Sequence, residues 1–342
     1  MIDIIIPNWN GRELLKTCLH SLENQSCRSF RTIVIDNGST DGSVSFIQEY
    51  YPEVQLIQLE ENKGFSAAVN QGILASDSDW LLLLNNDIEV ATDCLQYLTQ
   101  ICKKNQTYDF YALKMMDFHN RSRIDGAGDC VMRGGVGYRL GTMENDGAHY
   151  SINRDVFGAC AGAALYHRSI FETVGLFDET FFAYLEDVDF NLRAVRAGKK
   201  CCYLADAIIY HMGSASTGSK VNSITVRLST RNNIFVVIKN FGPTLFFRFF
   251  PSFLIYQFFW FVFVVKKGQL IPYVQGIVGS LKHLKNMFSH YSNTQNSSTR
   301  SIKEFADCII SSERQAISSI INRRLQQGKS SRLFDLYLKL FC

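Results

Sequence analysis

The chain has 342 residues, 46% of them apolar and 20% charged, with a formal net charge of +3. That length and apolar content allow one large α/β domain plus an appendage and exclude a disordered chain. The charge is too mild to require nucleic acid as a partner. Ten cysteines are scattered without a CxxC pair or a zinc-spaced Cys/His cluster, which reads as reduced thiols of a cytosolic protein. The opening residues 1–7 have no basic n-region and no small-residue cleavage site, so a secretory signal is not expected.

Four apolar runs, residues 2–6, 32–35, 54–59 and 80–84, are rich in Ile, Val or Leu and bounded by turn formers, which predicts strands. Between them, helical apolar spacing is carried by Leu14, Leu15, Cys18, Leu19 and Leu22, then by Val44, Phe46, Ile47 and Tyr50, then by residues 65–74. Alternation of this kind, with continuous apolar strands, predicts an α/β fold whose mostly parallel sheet is covered by helices on both faces. Ligands bind such sheets beyond the carboxyl ends of the strands. Those ends carry Asn8 and Asn10, then Asp36-Asn37-Gly38-Ser39, then Asn62-Lys63-Gly64, then Asn85-Asn86-Asp87. Any one such loop is an ordinary turn; four that deliver polar side chains to one rim point to a shared site.

Residues 117–157 are rich in Gly, Asp and Arg and weakly periodic, which predicts a long irregular segment over the site, a lid. Helical spacing returns over 168–174, stopped by Gly175, and over 186–197, stopped by Gly198. Residues 245–265 are nearly all apolar and aromatic and run into Lys266-Lys267. They approach the roughly 20 residues that cross a bilayer. Arg248, Pro251 and Gln257 interrupt them, and aromatic side chains suit an interface, so a span, a surface-lying or re-entrant element and a buried helix pair all stay open. A second amphipathic stretch, 273–288, carries Lys282, His283 and Lys285; 289–301 is polar and linker-like, and 302–342 reads as helical. The expected units are therefore a domain over 1–220, a membrane-associated helical region over 221–290, and a linker with a C-terminal helical tail over 291–342.

Asn85-Asn86-Asp87 sets a carboxylate at the end of an apolar strand, where a hard cation could bind and keep positions for phosphate oxygens. Glu186-Asp187-Val188-Asp189 is an acidic cluster at a predicted helix start. The helix dipole alone favours acids there, and it also keeps Asp187 ionised, as a general base requires. His211 follows the apolar run 207–210 and opens His211-Met212-Gly213-Ser214-Ala215-Ser216 where a strand leaves the sheet. It is a metal or diphosphate ligand, or else a structural histidine.

In this order the motifs resemble glycosyltransferase family 2, with its GT-A fold, and within it the rhamnosyltransferase-like branch, over about residues 2–220. Pro7-Asn8-Trp9-Asn10-Gly11 and the run from Asp36 to Ser43 look like nucleoside-binding loops, and residues 61–72 look like the family's NxGxxxAxNxG segment. Asn85-Asn86-Asp87 resembles its metal-binding DxD motif with Asn in first place, and Glu186-Asp187 its ED pair. The resemblance implies donor binding by Pro7, Asn8, Trp9, Asp36, Asn62, Gly64, Asn70 and Asn86, and Mg²⁺ or Mn²⁺ on Asp87 and His211. It implies Asp187 as catalytic base, with Glu186 and Arg231 as acceptor or diphosphate contacts. The implied reaction is inverting transfer from dTDP-rhamnose or a UDP-sugar to a lipid-linked glycan in cell-surface polysaccharide assembly. The implied place is the cytoplasmic face of the cell membrane, peripheral or monotopic. The QxxRW motif of processive members is absent, which disfavours a polymerising synthase.

A dinucleotide-binding oxidoreductase would carry GxGxxG after the first strand and a P-loop enzyme GxxxxGK[ST]; neither occurs. A catalytically silent, membrane-bound nucleotide-sugar-binding module would keep the same fold. Intact Asp87, Asp187 and His211 argue against it.

Overall fold

The computed structural model describes residues 1–104, 107–213, 221–285, 287–289 and 298–341. Strands β1 (Ile2–Asn8), β2 (Phe30–Asp36), β3 (Gln55–Gln58) and β4 (Trp80–Leu84) are parallel, with β1 between β2 and β4 and β3 beyond β2. Alternation along β1 sends Ile4 and Ile6 to one face and Ile5 to the other. On the first face they meet Leu15, Leu19 and Leu22 of α1 (Arg12–Glu23) and Phe46 and Ile47 of α2 (Ser43–Tyr50). On the second, Ile5 meets Ala68, Val69 and Ile73 of α3 (Phe65–Ala75). The expected covered parallel sheet is present.

The chain then adds β5 (Ile88–Val90), α4 (Cys94–Lys103) and β6 (Phe110–Asp117). Residues 117–157 form no lid. They make β7 (Ile124–Gly126), β8 (Asp129–Met132), β9 (Val136–Arg139) and β10 (Arg154–Val156), with β8 and β9 paired as an antiparallel hairpin. Ile124, Cys130, Val131, Leu140 and Tyr150 are buried there. Strands of three or four residues are too short to show a period, so the sequence hides them. Next, β11 (Ala163–His167) inserts antiparallel between β4 and β6, and β12 (Cys201–His211) runs parallel to β6. The main path of the sheet is β10-β12-β6-β11-β4-β1-β2-β3. Helices α5 (Ser169–Val174) and α6 (Glu186–Arg196) fall where the spacing predicts.

The boundary expected at residue 220 lies outside the described residues. Helix α7 (Ser223–Lys266) is two arms folded at Gly242-Pro243, where Gly242 leaves helical geometry and the proline cannot donate. The arms run back along each other: Gln257 Nε2 donates to Asn233 Oδ1 at 2.7 Å and Trp260 Nε1 to Thr230 Oγ1 at 2.9 Å. The first arm buries Phe235, Val236, Val237 and Phe241 against Val131 and Leu192, so it belongs to the α/β core. The second arm and α8 (Leu270–Leu281) leave Phe247, Phe258, Phe259, Ile271 and Leu281 exposed.

The C-terminal segment is helical, as the sequence suggests. Helix α9 (Ile302–Gln326) opens with a Ser301/Glu304 capping box and buries Phe305, Ile309 and Ala316. Val131 N donates to its Ser312 Oγ at 2.8 Å, and Arg133 pairs with its Glu313. Tyr337 of α10 (Arg332–Phe341) donates to Glu313 at 2.7 Å. Most of the expected linker, residues 290–297, and the Ser214-Ala215-Ser216 run after His211 lie outside the described residues.

Candidate functional site

Three strand ends are joined by side chains. Asn8 Nδ2 donates to Asp36 Oδ1 at 3.2 Å, and Asn86 Nδ2 donates to Asn8 Oδ1 at 2.7 Å. All three are buried. Gly11 makes this possible, because a Cβ there would overlap the Asn86 amide. Asp36 Oδ2 also accepts from Ser39 N at 2.9 Å. One loop further on, Asn37 Nδ2 donates to Asn62 Oδ1 at 3.0 Å and to Gly64 O at 3.1 Å. Pro7 stays in β1, paired with Ile35, and Trp9 projects from its end, 44% exposed.

Asp87 and His211, far apart in sequence, meet through strand pairing. β12 pairs antiparallel with β5, which sets His211 opposite Ile88, and Met212 N donates to Asp87 O at 3.0 Å. His211 Nε2 lies 3.4 Å from Asp87 Oδ2, and Nδ1 lies 2.8 Å from Asp125 Oδ2. Burial alone would lower the imidazole pKa, but bonds to Asp125 and Asp87 outweigh it and raise it to about 9. Asp87 Oδ1 is buried and has no hydrogen-bond partner among the described residues. A buried carboxylate oxygen left over, beside an imidazole oriented by a second carboxylate, fits the donor set of a divalent cation. A cation arriving there would displace the imidazole proton.

The network continues. Arg139 donates to Asp125 Oδ2 at 2.7 Å and to Cys160 Sγ at 3.0 Å. One ligand atom from each of Asp129, Cys160 and Asp187 lies within 4.8 Å of the others. Burial first, and the Asp187 charge second, push the Asp129 carboxyl up to about 8. The same two causes raise Glu186 to about 8. Burial also raises Asp187, opposed by Arg139 and by the Val188 amide, which donates to Asp187 Oδ1 at 2.8 Å. Asp129 Oδ1 and Glu186 Oε2 are buried without partners among the described residues. Arg139 supplies positive charge to this group, and burial pushes the Cys160 thiol pKa up.

Two expected site residues are engaged in the fold. Asn70 donates to Phe177 O at 2.9 Å and accepts from Phe177 N at 3.1 Å, tying α3 to the loop before α6. Arg231 donates to Thr180 O at 3.0 Å and Phe181 O at 2.8 Å. Asp189, two residues beyond Asp187, is fully buried between Lys239 at 2.8 Å and Arg193 at 2.9 Å, joining α6 to α7. Sequence reading missed Asp125, Asp129, Arg139 and Cys160. The available signal was Asp125-Gly126-Ala127-Gly128-Asp129, two acids flanking residues too small to fill space between them.

The sheet in this order carries a polar rim at its strand ends and an acidic centre beside it. The chain belongs to glycosyl transferase family 2, whose model matches residues 3–175, half of its length. It is 28% identical over 199 residues to a PGL/p-HBAD biosynthesis glycosyltransferase of Mycobacterium bovis, covering 56% of this chain and 69% of that protein. It is also 28% identical over 240 residues to the N-acetylglucosaminyl-diphospho-decaprenol L-rhamnosyltransferase of Mycobacterium tuberculosis, covering 64% and 78%. Among solved structures it is similar in fold to residues 1–349 of TarS from S. aureus, also solved with UDP, at TM-score 0.51 and 15% identity, covering 96% and 92%.

Proposed function

We propose that the protein is an inverting transferase that moves a sugar from dTDP-rhamnose or a UDP-sugar to a hydroxyl of a lipid-linked glycan. The observation that carries the reading is the orphaned buried oxygen of Asp87 beside His211, on the rim formed by Asn8, Asp36 and Asn86. A divalent cation held by Asp87 and His211, Mg²⁺ or Mn²⁺, would neutralise the departing diphosphate. Asp36, Asn8, Asn86, Asn62 and Gly64 shape the nucleotide side, and Trp9 stands over it. Asp187 takes the proton of the acceptor hydroxyl as that oxygen bonds the anomeric carbon from the face opposite the leaving group. The bond from that carbon to the diphosphate oxygen breaks, and the nucleoside diphosphate leaves with its electron pair. The family's common use of a divalent metal and the rhamnosyltransferase relative support this reading.

The exposed aromatic side chains of the second arm of α7 and of α8, with Lys266, Lys267, Lys282 and Lys285 at their ends, suit the interface of an anionic bilayer. A prenyl-linked acceptor would be presented there, at the cytoplasmic face. A thermal-shift screen of dTDP-rhamnose and UDP-sugars with and without Mn²⁺ tests the donor. One nucleotide sugar is expected to raise the melting midpoint only with metal, and no metal-dependent shift with any of them would refute the assignment. Co-sedimentation with anionic vesicles tests the surface, and equal binding after Phe258→Ser with Phe259→Ser would refute it.

A further inference from the structure

Among the described residues, positive φ outside glycine is concentrated in the four residues before Glu186. Phe182, Tyr184 and Leu185 all have positive φ, at 65°, 70° and 66°. Side chains with a Cβ rarely adopt that region, and such strain persists only where neighbours hold it. The neighbour is Asn232 on the first arm of α7. It is fully buried, and its two amide hydrogens are shared among Phe181 O at 3.0 Å, Ala183 O at 2.9 Å and Tyr184 O at 2.7 Å. Arg231 holds the Asn232 carbonyl at 2.9 Å and donates to Thr180 O and Phe181 O. On the far side the loop is met by the nucleotide rim: Ser66 N donates to Phe182 O at 3.4 Å, and Gly64 has no Cβ that would collide with that carbonyl. The next residue of α7, Asn233, donates to Gly134 O and Gly135 O at 2.9 Å, fixing the turn of the β8–β9 hairpin that bears Asp129 and Arg139.

We propose that Asn232 is a positioning residue for catalysis: it holds residues 181–185, with Phe182, Tyr184 and Leu185 at positive φ, and so sets Asp187 at its distance from the acceptor oxygen. A residue kept only for stability needs no such convergence. Three carbonyls turned toward one amide face away from ordinary helix or strand pairing, and they belong to the residues that lead directly into the base. The inference rests on Asp187 being that base. Its distinguishing consequence is that Asn232 acts through Asp187 and not through the nucleotide.

The test is a cycle of Asn232→Ala and Asp187→Asn, with transfer measured at saturating donor from the nucleotide sugar selected above, and binding of its nucleoside diphosphate by calorimetry. Misplacing a reacting group by an ångström costs about a hundredfold, so Asn232→Ala is expected to slow transfer by about that factor. Nucleoside diphosphate affinity is expected to change less than about twofold. Residues that act through one another are not additive, so in the Asp187→Asn background the same change is expected to cost less than about twofold. Leu185→Gly, which adopts positive φ without a Cβ, is expected to restore part of the rate lost in Asn232→Ala. If Asn232→Ala does not fold, Asn232→Ser, which keeps one donor, is read in the same way. Equal losses in both backgrounds, or a fall in nucleotide affinity that matches the fall in rate, would overturn the proposal. Failure of the base assignment is read separately, as a near-native rate in Asp187→Asn alone.

Discussion

On the proposed nucleotide side, side-chain hydrogen bonds join Asn8 to Asp36 and Asn86, and Asn37 to Asn62. On the proposed acceptor side, Asp129 and Glu186 each bury a carboxylate oxygen without a partner among the described residues, and Arg139 is shared between Asp125 and Cys160. The first side is tied together by hydrogen bonds before any ligand arrives, which keeps the cost of ordering it low at the moment of binding. The second concentrates like charges out of water, which raises carboxyl pKa values and costs stability. Substitutions on the two sides should therefore fail in different ways.

The largest expected difference comes from Asp87, which stands between them. Asp87→Ala removes the unpartnered oxygen and leaves diphosphate charge less neutralised, so metal-dependent donor binding is expected to disappear, weakening affinity by about tenfold or more. Calorimetry with and without Mn²⁺ reads this; unchanged metal dependence would move the cation elsewhere.

Glu186 and Asp129 sharpen the comparison through pH. A carboxyl whose pKa rises on folding holds its proton more tightly in the folded state. It costs nothing below its unfolded value and destabilises progressively as pH climbs to the folded one. For Glu186 that window runs from 4.5 to about 8, and for Asp129 from 3.8 to about 8. Glu186→Gln and Asp129→Asn are expected to raise the melting midpoint by a few degrees at the top of the window and to leave it nearly unchanged at the bottom. A shift of the same size at both ends would mean that charge is not its cause.

The smallest expected effect belongs to Asn70. Its amide is spent on Phe177 and Glu179, so Asn70→Ala should cost about 1–3 kcal/mol of stability while donor affinity stays the same. A loss of donor affinity without a loss of stability would return Asn70 to the nucleotide side.

Legibility in the sequence followed the same division. The parallel strands and the loops at their ends were readable because apolar runs of four to six residues and turn formers are local signals, and Asn8, Asp36, Asn86 and Asp87 lie at the strand ends they imply. On the proposed acceptor side only Glu186 and Asp187 were readable; β7 to β10 are too short to show a period, and Asp125, Asp129 and Arg139 acquire meaning only when β12 brings His211 across to β5. A switch to aromatic composition marks where α7 meets solvent, beyond Gly242, whereas its first arm carries Asn232, Lys239 and Asn240 into buried contacts with the loop before α6 and with α6 itself.

The claim that the two sides divide the labour is tested most directly on Asp187. Asp187→Asn keeps the shape and removes the proton acceptor, and general-base catalysis contributes about a hundredfold to ten-thousandfold. Transfer at saturating donor is expected to fall within that range while nucleotide-sugar affinity, measured on the same preparation, stays near the native value. A near-native transfer rate, or a loss of donor affinity as large as the loss of rate, would contradict the account.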